Sequence, residues 1–122
     1  MEIVKKDQNP AEDRSDAPIF YGGKVEGRSI VGGGMSSYFN FNQVTFYNGS
    51  KNYFHVHTSD QILFGLSGKG YVVNESETVE FEAGDTAVIP AGEKHWHGAQ
   101  DGQDFSHISL THPDSKTTVY PD

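Results

Sequence analysis

The chain has 122 residues, a length that fits one domain with a modest core. Its formal net charge is −8 with lysines and arginines scattered, which argues against a nucleic-acid or anionic-membrane partner and favours solubility, with some repulsion of anionic substrates at a distance. Without cysteines it has neither a disulfide framework nor a thiolate metal site, and Met1-Glu2-Ile3-Val4-Lys5-Lys6 lacks the apolar core of a signal peptide, so a soluble, cytoplasmic protein is expected.

Residues 5–18 hold seven charges and two prolines. Residues 1–18 are read as a polar arm, mobile or lying across a partner subunit. Val25 to Val31 predicts a strand stopped by Gly32-Gly33-Gly34, and no lysine or Ser/Thr follows at P-loop spacing. Gln43 to Tyr47 predicts a strand, and Asn48-Gly49 a turn. Tyr53 to His57 and Gln61 to Leu66 follow, then a turn over Ser67-Gly68-Lys69-Gly70. Tyr71-Val72-Val73 and Thr78 to Phe81 predict a hairpin around Asn74-Glu75-Ser76-Glu77. Thr86 to Ile89, Lys94 to His97 and Phe105 to Thr111 complete the strands, and 113–122 is a polar, peripheral tail. Many short strands without helical periodicity predict one all-β sandwich or barrel domain over 19–112.

Side chains alternate along a strand, so His55 and His57 point to one face together with Tyr53. Gln61 re-enters beside them after the polar turn Thr58-Ser59-Asp60, and His95 follows a Pro-x-Gly turn. Three nitrogens and one oxygen from two hairpins make a mononuclear metal site with open positions. Gln61 could instead support a ligand from behind. His97 shares the face of His95 and is expected beside the site or at its rim. Phe105, His107 and Ser109 line up on a third strand, with Tyr53 and Phe105 expected in the pocket.

These residues carry a resemblance. Gly49, five residues, His55-x-His57, three residues, Gln61, six residues and Gly68 resemble the first cupin motif. Gly84, five residues, Pro90-x-Gly92, two residues and His95 resemble the second. The resemblance implies a double-stranded β-helix, a jelly-roll barrel, with a divalent metal on His55, His57, Gln61 and His95. Gln61 stands where most cupins have Glu, and Ala99 where the second motif usually ends in Asn. The glutamine variant is similar to small manganese cupins, including bacterial cupin hydroxynitrile lyases, in which a catalytic histidine falls at the position of His107. Manganese is therefore the expected ion, with Fe, Ni, Co and Zn as alternatives. On the residues themselves, His107 is either a general base or a satisfied interior histidine.

Three functions remain open. One is an enzyme using Lewis-acid and general-base chemistry on a small carbonyl or hydroxyl compound, like a hydroxynitrile lyase. Another is a metal-dependent dioxygenase. The third is a non-catalytic module that binds or senses a small ligand. Apolar residues on both strand faces predict a homodimer.

Overall fold

The computed structural model describes residues 1–121, so Asp122 of the expected tail lies outside the described residues. Among these there is no helix. The twelve strands are β1 (Glu12–Asp13), β2 (Phe20–Tyr21), β3 (Val25–Val31), β4 (Asn40–Phe46), β5 (Lys51–Asn52), β6 (Phe54–His57), β7 (Gln61–Asn74), β8 (Thr78–Glu82), β9 (Thr86–Ile89), β10 (His95–Ala99), β11 (Phe105–Thr111) and β12 (Thr117–Tyr120). All pair antiparallel. One sheet runs β1-β3-β4-β11-β7-β9. The other carries β8-β7-β10, with β5 and β6 beyond β10, β2 on β5 and β12 on β6. The two face each other as an all-β barrel, as expected from the strand pattern.

The 14-residue β7 belongs to both sheets. The turn expected over Ser67-Gly68-Lys69-Gly70 is absent, and the strand bends there without ending. Gly68 has φ +77°, and a Cβ at this position would run into the Asp104 carbonyl. Two residues before it, at Leu66, the register with β11 shifts between Ser106 and His107. An irregularity of this kind increases local twist and bend, so the two halves of one strand serve two sheets. Turn-forming residues in the sequence here mark a bend in a continuous ladder.

Inward-facing residues divide the barrel. Val25, Phe46, Leu63, Phe81, Ile89, Ala99 and Phe105 form the apolar core. The remaining interior is polar and holds His55, Gln61, His95, His97, His107 and Ser109, all buried. Both flanks of the chain join this unit. Glu12–Asp13 pairs with β3, and Arg28 donates from Nε to the Asn9 carbonyl at 2.7 Å, so the arm folds back on its own chain. The tail expected to be peripheral supplies β12, which pairs with the histidine-bearing β6 from Thr117↔His57 to Tyr120↔Phe54. Its polar sequence suits an edge strand exposed on one side.

Candidate metal centre

His55 and His95 are direct cross-strand partners on β6 and β10, with ring centroids 4.3 Å apart. His57 lies two residues along β6, its ring 4.9 Å from that of His55 and 5.5 Å from that of His95. Gln61 opens β7 and points its Oε1 at His95 Nε2, 3.0 Å away. The fold thus brings together the four residues that the sequence singled out. His97 is also close: ring nitrogens of His55, His95 and His97 lie within 4.8 Å of one another, so three histidines could hold a metal ion.

Backbone carbonyls set the tautomers. His55 Nδ1–H donates to the Tyr53 carbonyl at 2.7 Å, and His95 Nδ1–H donates to the Glu93 carbonyl at 2.8 Å. A carbonyl only accepts, so the proton of each ring is on Nδ1 and Nε2 carries a bare lone pair. Burial, then the neighbouring His95, pushes His55 down to about 3, against the opposing hydrogen bond to Tyr53. His57 is pushed down to about 4, again by burial first and His95 second. Burial also lowers His95, opposed by the Glu93 carbonyl and carboxylate. These rings are neutral at pH 7.

With His95 neutral, its Nε2 lone pair and the Gln61 carbonyl oxygen meet as two acceptors without a proton between them. The amide is held in that orientation because Gln61 Nε2–H donates to Ser109 Oγ at 2.9 Å. His57 Nδ1 is 2.8 Å from Thr117 Oγ1, while its Nε2 is buried without a hydrogen-bond partner. Apposed acceptors and an orphaned nitrogen are costly in a dry interior. A shared cation satisfies all of them, so these donors fit a metal.

A second pair lies behind this group. His107 Nε2 and His97 Nδ1 are 3.0 Å apart, and both side chains are buried. Burial holds His107 at about 4 and His97 well below its ordinary value, with repulsion from His107 adding to the latter. Phe46 and Phe105 pack on His107 at 5.7 and 5.5 Å, so Phe105 is core as well as pocket wall. His107 Nδ1 is buried without a partner. Tyr53 stacks on Tyr21 at 4.4 Å, and its contribution to the histidine group is its carbonyl.

Two supporting residues had escaped sequence reasoning. Asn52 is buried, accepts from the His97 backbone N–H at 2.9 Å and places Nδ2 3.3–3.4 Å from both His97 ring nitrogens. Thr117 reaches His57 from the tail. No spacing ties either to a histidine; only the pairing of β5 with β10 and of β12 with β6 does so. Ser109 had been aligned with His107 by alternation, without a role.

A cupin domain model matches residues 42–111. The (R)-mandelonitrile lyase of Granulicella tundricola is 35% identical to the chain over 68 residues, covering 55% of this chain and 52% of that relative. The chain therefore spans about half the length of the curated relative it matches. Among solved structures, a predicted oxalate decarboxylase from Thermotoga maritima is similar at TM-score 0.80 and 21% identity, covering 92% of this chain and 99% of that one. The polyketide cyclase RemF from Streptomyces resistomycificus is similar at TM-score 0.79 and 16% identity, covering 98% and 84%. At these identities the likenesses to solved structures speak for the fold.

Proposed function

The chain belongs to the cupin family, and on that premise we propose that it is a mononuclear metal enzyme acting on a small hydroxyl or carbonyl compound, in the manner of a hydroxynitrile lyase. His55, His57 and His95 would hold the ion through ring nitrogens and Gln61 through Oε1. His57 is preferred to His97 as the third imidazole for a physical reason. His97 Nδ1 is engaged by His107 and both its ring nitrogens lie near Asn52, whereas His57 Nε2 has no partner. Imidazole and amide donors suit Mn, Fe, Co, Ni or Zn, and the motif resemblance favours manganese. When bound, the ion would supply Lewis acidity toward a substrate oxygen or nitrile.

Proton movement falls to the histidine pair. Neutral His107 takes the proton lost from a substrate hydroxyl, and the Nε2···Nδ1 contact spreads the charge onto His97. Phe46 and Phe105 keep bulk water from that proton. Splitting a cyanohydrin into a carbonyl compound and cyanide needs this one proton transfer, and the same residues run it in reverse.

The observation carrying the reading is the apposition of Gln61 Oε1 and His95 Nε2 at 3.0 Å. The partial match to a mandelonitrile lyase supports the choice of reaction. Elemental analysis of protein purified without added metal or affinity tag is expected to find one transition metal per chain. His55→Ala and His95→Ala are expected to reduce it to background. Mandelonitrile cleavage would be assayed with and without oxygen. Equal rates support the lyase, absence of cleavage ends it, and dependence on oxygen replaces it with an oxygenase.

A further inference from the structure

We propose that the histidine group holds two overlapping metal seats, filled one at a time, and that the inner one, made by the Nε2 atoms of His55, His95 and His97, takes zinc. The contrast between seats rests on the outer set proposed above, with which the inner seat shares His55 and His95.

Ring nitrogens of His55, His95 and His97 lie within 4.8 Å of one another. A point within about 2.8 Å of all three therefore exists, and shifts of under ~1 Å bring them to the length of a zinc–imidazole bond, about 2.0–2.1 Å. Each ring is engaged at Nδ1. His55 Nδ1–H donates to the Tyr53 carbonyl, and His95 Nδ1–H donates to the Glu93 carbonyl. His97 Nδ1 is 3.0 Å from His107 Nε2, and one proton between them serves both rings. With that proton on His97 Nδ1, His97 Nε2 is bare like the other two. Three lone pairs then converge, and the acceptor behind each ring orients it and raises its basicity, as partners of ligating imidazoles do.

Asn52 does not close this seat. Its Nδ2 is 3.4 Å from His97 Nδ1 and 3.3 Å from Nε2. A nitrogen at those two distances in the ring plane would collide with Cε1, so the amide lies off the plane, whereas an ion binds in it. The contact raises the cost of using His97, and an ion indifferent to the choice avoids it by taking His57.

Donor type and burial decide which ion is not indifferent. The inner seat offers three imidazoles and no oxygen, and His55, His95 and His97 are all buried. Distance from bulk water suits the low coordination number and nitrogen preference of zinc. The outer set adds the Gln61 oxygen, and His57 is half-buried, nearer to solvent. An ion that favours oxygen ligands and water, as manganese does, is better served there. Occupancy also bears on proton movement. An ion on His97 Nε2 holds the ring proton on Nδ1, aimed at His107 Nε2, and that nitrogen no longer takes a proton from substrate. Zinc in the inner seat is thus an inhibitor of the proposed chemistry.

The test titrates zinc and manganese separately into the chelator-stripped full chain, in competition with a fluorescent chelator. His97→Ala is expected to weaken zinc at least about tenfold and manganese less than about twofold, and Gln61→Leu to do the reverse, tenfold being the lower end for a disturbed metal site. A second measurement needs no variant. In long-range proton–nitrogen NMR spectra of wild type, zinc is expected to shift the Nε2 signals of His55, His95 and His97 and to leave that of His57 in place. An unshifted His97 Nε2 overturns the proposal. So does zinc binding weakened as much by Gln61→Leu as by His97→Ala, since both ions would then share one seat. Failure of the outer set shows separately, as manganese affinity indifferent to Gln61→Leu, and leaves the zinc result standing.

Discussion

Replacing Gln61 with glutamate tests the centre of the proposed ligand set. Gln61 is 4% exposed, and its oxygen already faces His95 Nε2 at 3.0 Å. Gln61→Glu keeps the shape and adds a unit negative charge. At an effective dielectric of about 20, that charge attracts each unit of charge on an ion ~4 Å away by about 4 kcal/mol. Desolvating the buried carboxylate costs several kcal/mol, which offsets most of the gain. A net improvement on the order of 1–2 kcal/mol remains, about tenfold in affinity. Competition against a fluorescent chelator with manganese at pH 7 measures it. Gln61→Leu, which removes the oxygen, is expected to weaken binding in the same assay. In the metal-free Gln61→Glu protein the carboxylate raises the His95 pKa, visible in its imidazole NMR titration. Turnover of Gln61→Glu should fall even as affinity rises, because the added charge dampens Lewis acidity. Equal affinities for wild type, Gln61→Glu and Gln61→Leu would refute the reasoning: residue 61 would then not touch the ion, and His97 would take its place in the set.

His107→Ala is expected to keep stoichiometric metal by elemental analysis while mandelonitrile turnover falls at least ~100-fold, the lower end for a lost general base. Thr117→Val removes the hydroxyl beside His57 Nδ1 and should weaken metal binding about tenfold in the chelator competition. Metal-free protein should lose stability as pH falls below about 6.5. Unfolded chains then bind protons that the buried imidazoles do not; His107, held at about 4, accounts for a share on the order of 3 kcal/mol by pH 4, read as the difference between wild-type and His107→Ala urea midpoints at pH 7 and pH 4. The exposed Ile62, Phe64, Leu66 and Val88 lie on one sheet face and are proposed to pair two chains, so light scattering at micromolar concentration should give a dimer that Phe64→Lys dissociates.

The histidines were legible because two periods coincide in them. Alternation puts His55 with His57, and His95 with His97, and the turns after His57 and Ile89 lie against each other, Gly92 N–H donating to the His57 carbonyl and Ala91 N–H to Asp60 Oδ1, so Gln61 and His95 enter the barrel at the same end. Phe105 to Thr111 was legible for the same reason, with Ile108 and Leu110 alternating against His107 and Ser109. What failed was local chemistry read without its partner strand. Ser67-Gly68-Lys69-Gly70 has the composition of a turn, but Gly68 is required by the Asp104 carbonyl lying against it, a neighbour 36 positions away. The tail lacks apolar alternation, and its strand is held by backbone pairing to β6 along with the contact from Thr117 to His57. Asn52 was invisible because its role depends on a pairing of only two residues, β5 with β10.

Stability and function are divided along the barrel. The apolar core of Val25, Phe46, Leu63, Phe81, Ile89, Ala99 and Phe105 occupies one part of the interior. The other part holds five imidazoles, at positions 55, 57, 95, 97 and 107, with burial keeping each pKa low. A buried neutral imidazole with an unmatched nitrogen contributes less than an aliphatic side chain of similar volume, and it penalises the fold further when the unfolded chain can protonate. An ion binding the folded state alone returns that stability by mass action, about 2.7 kcal/mol at a free concentration one hundred times its dissociation constant. The gain is also local. His55 and His95 join β6 to β10, Gln61 brings in β7, and His57 ties to β12 through Thr117. Bound metal would therefore brace β6 and β12, which carry no residue of the apolar core, against β7 and β10, which carry Leu63 and Ala99. On this reasoning metal loss loosens the β6–β12 edge before it unfolds the core around Phe46 and Phe105.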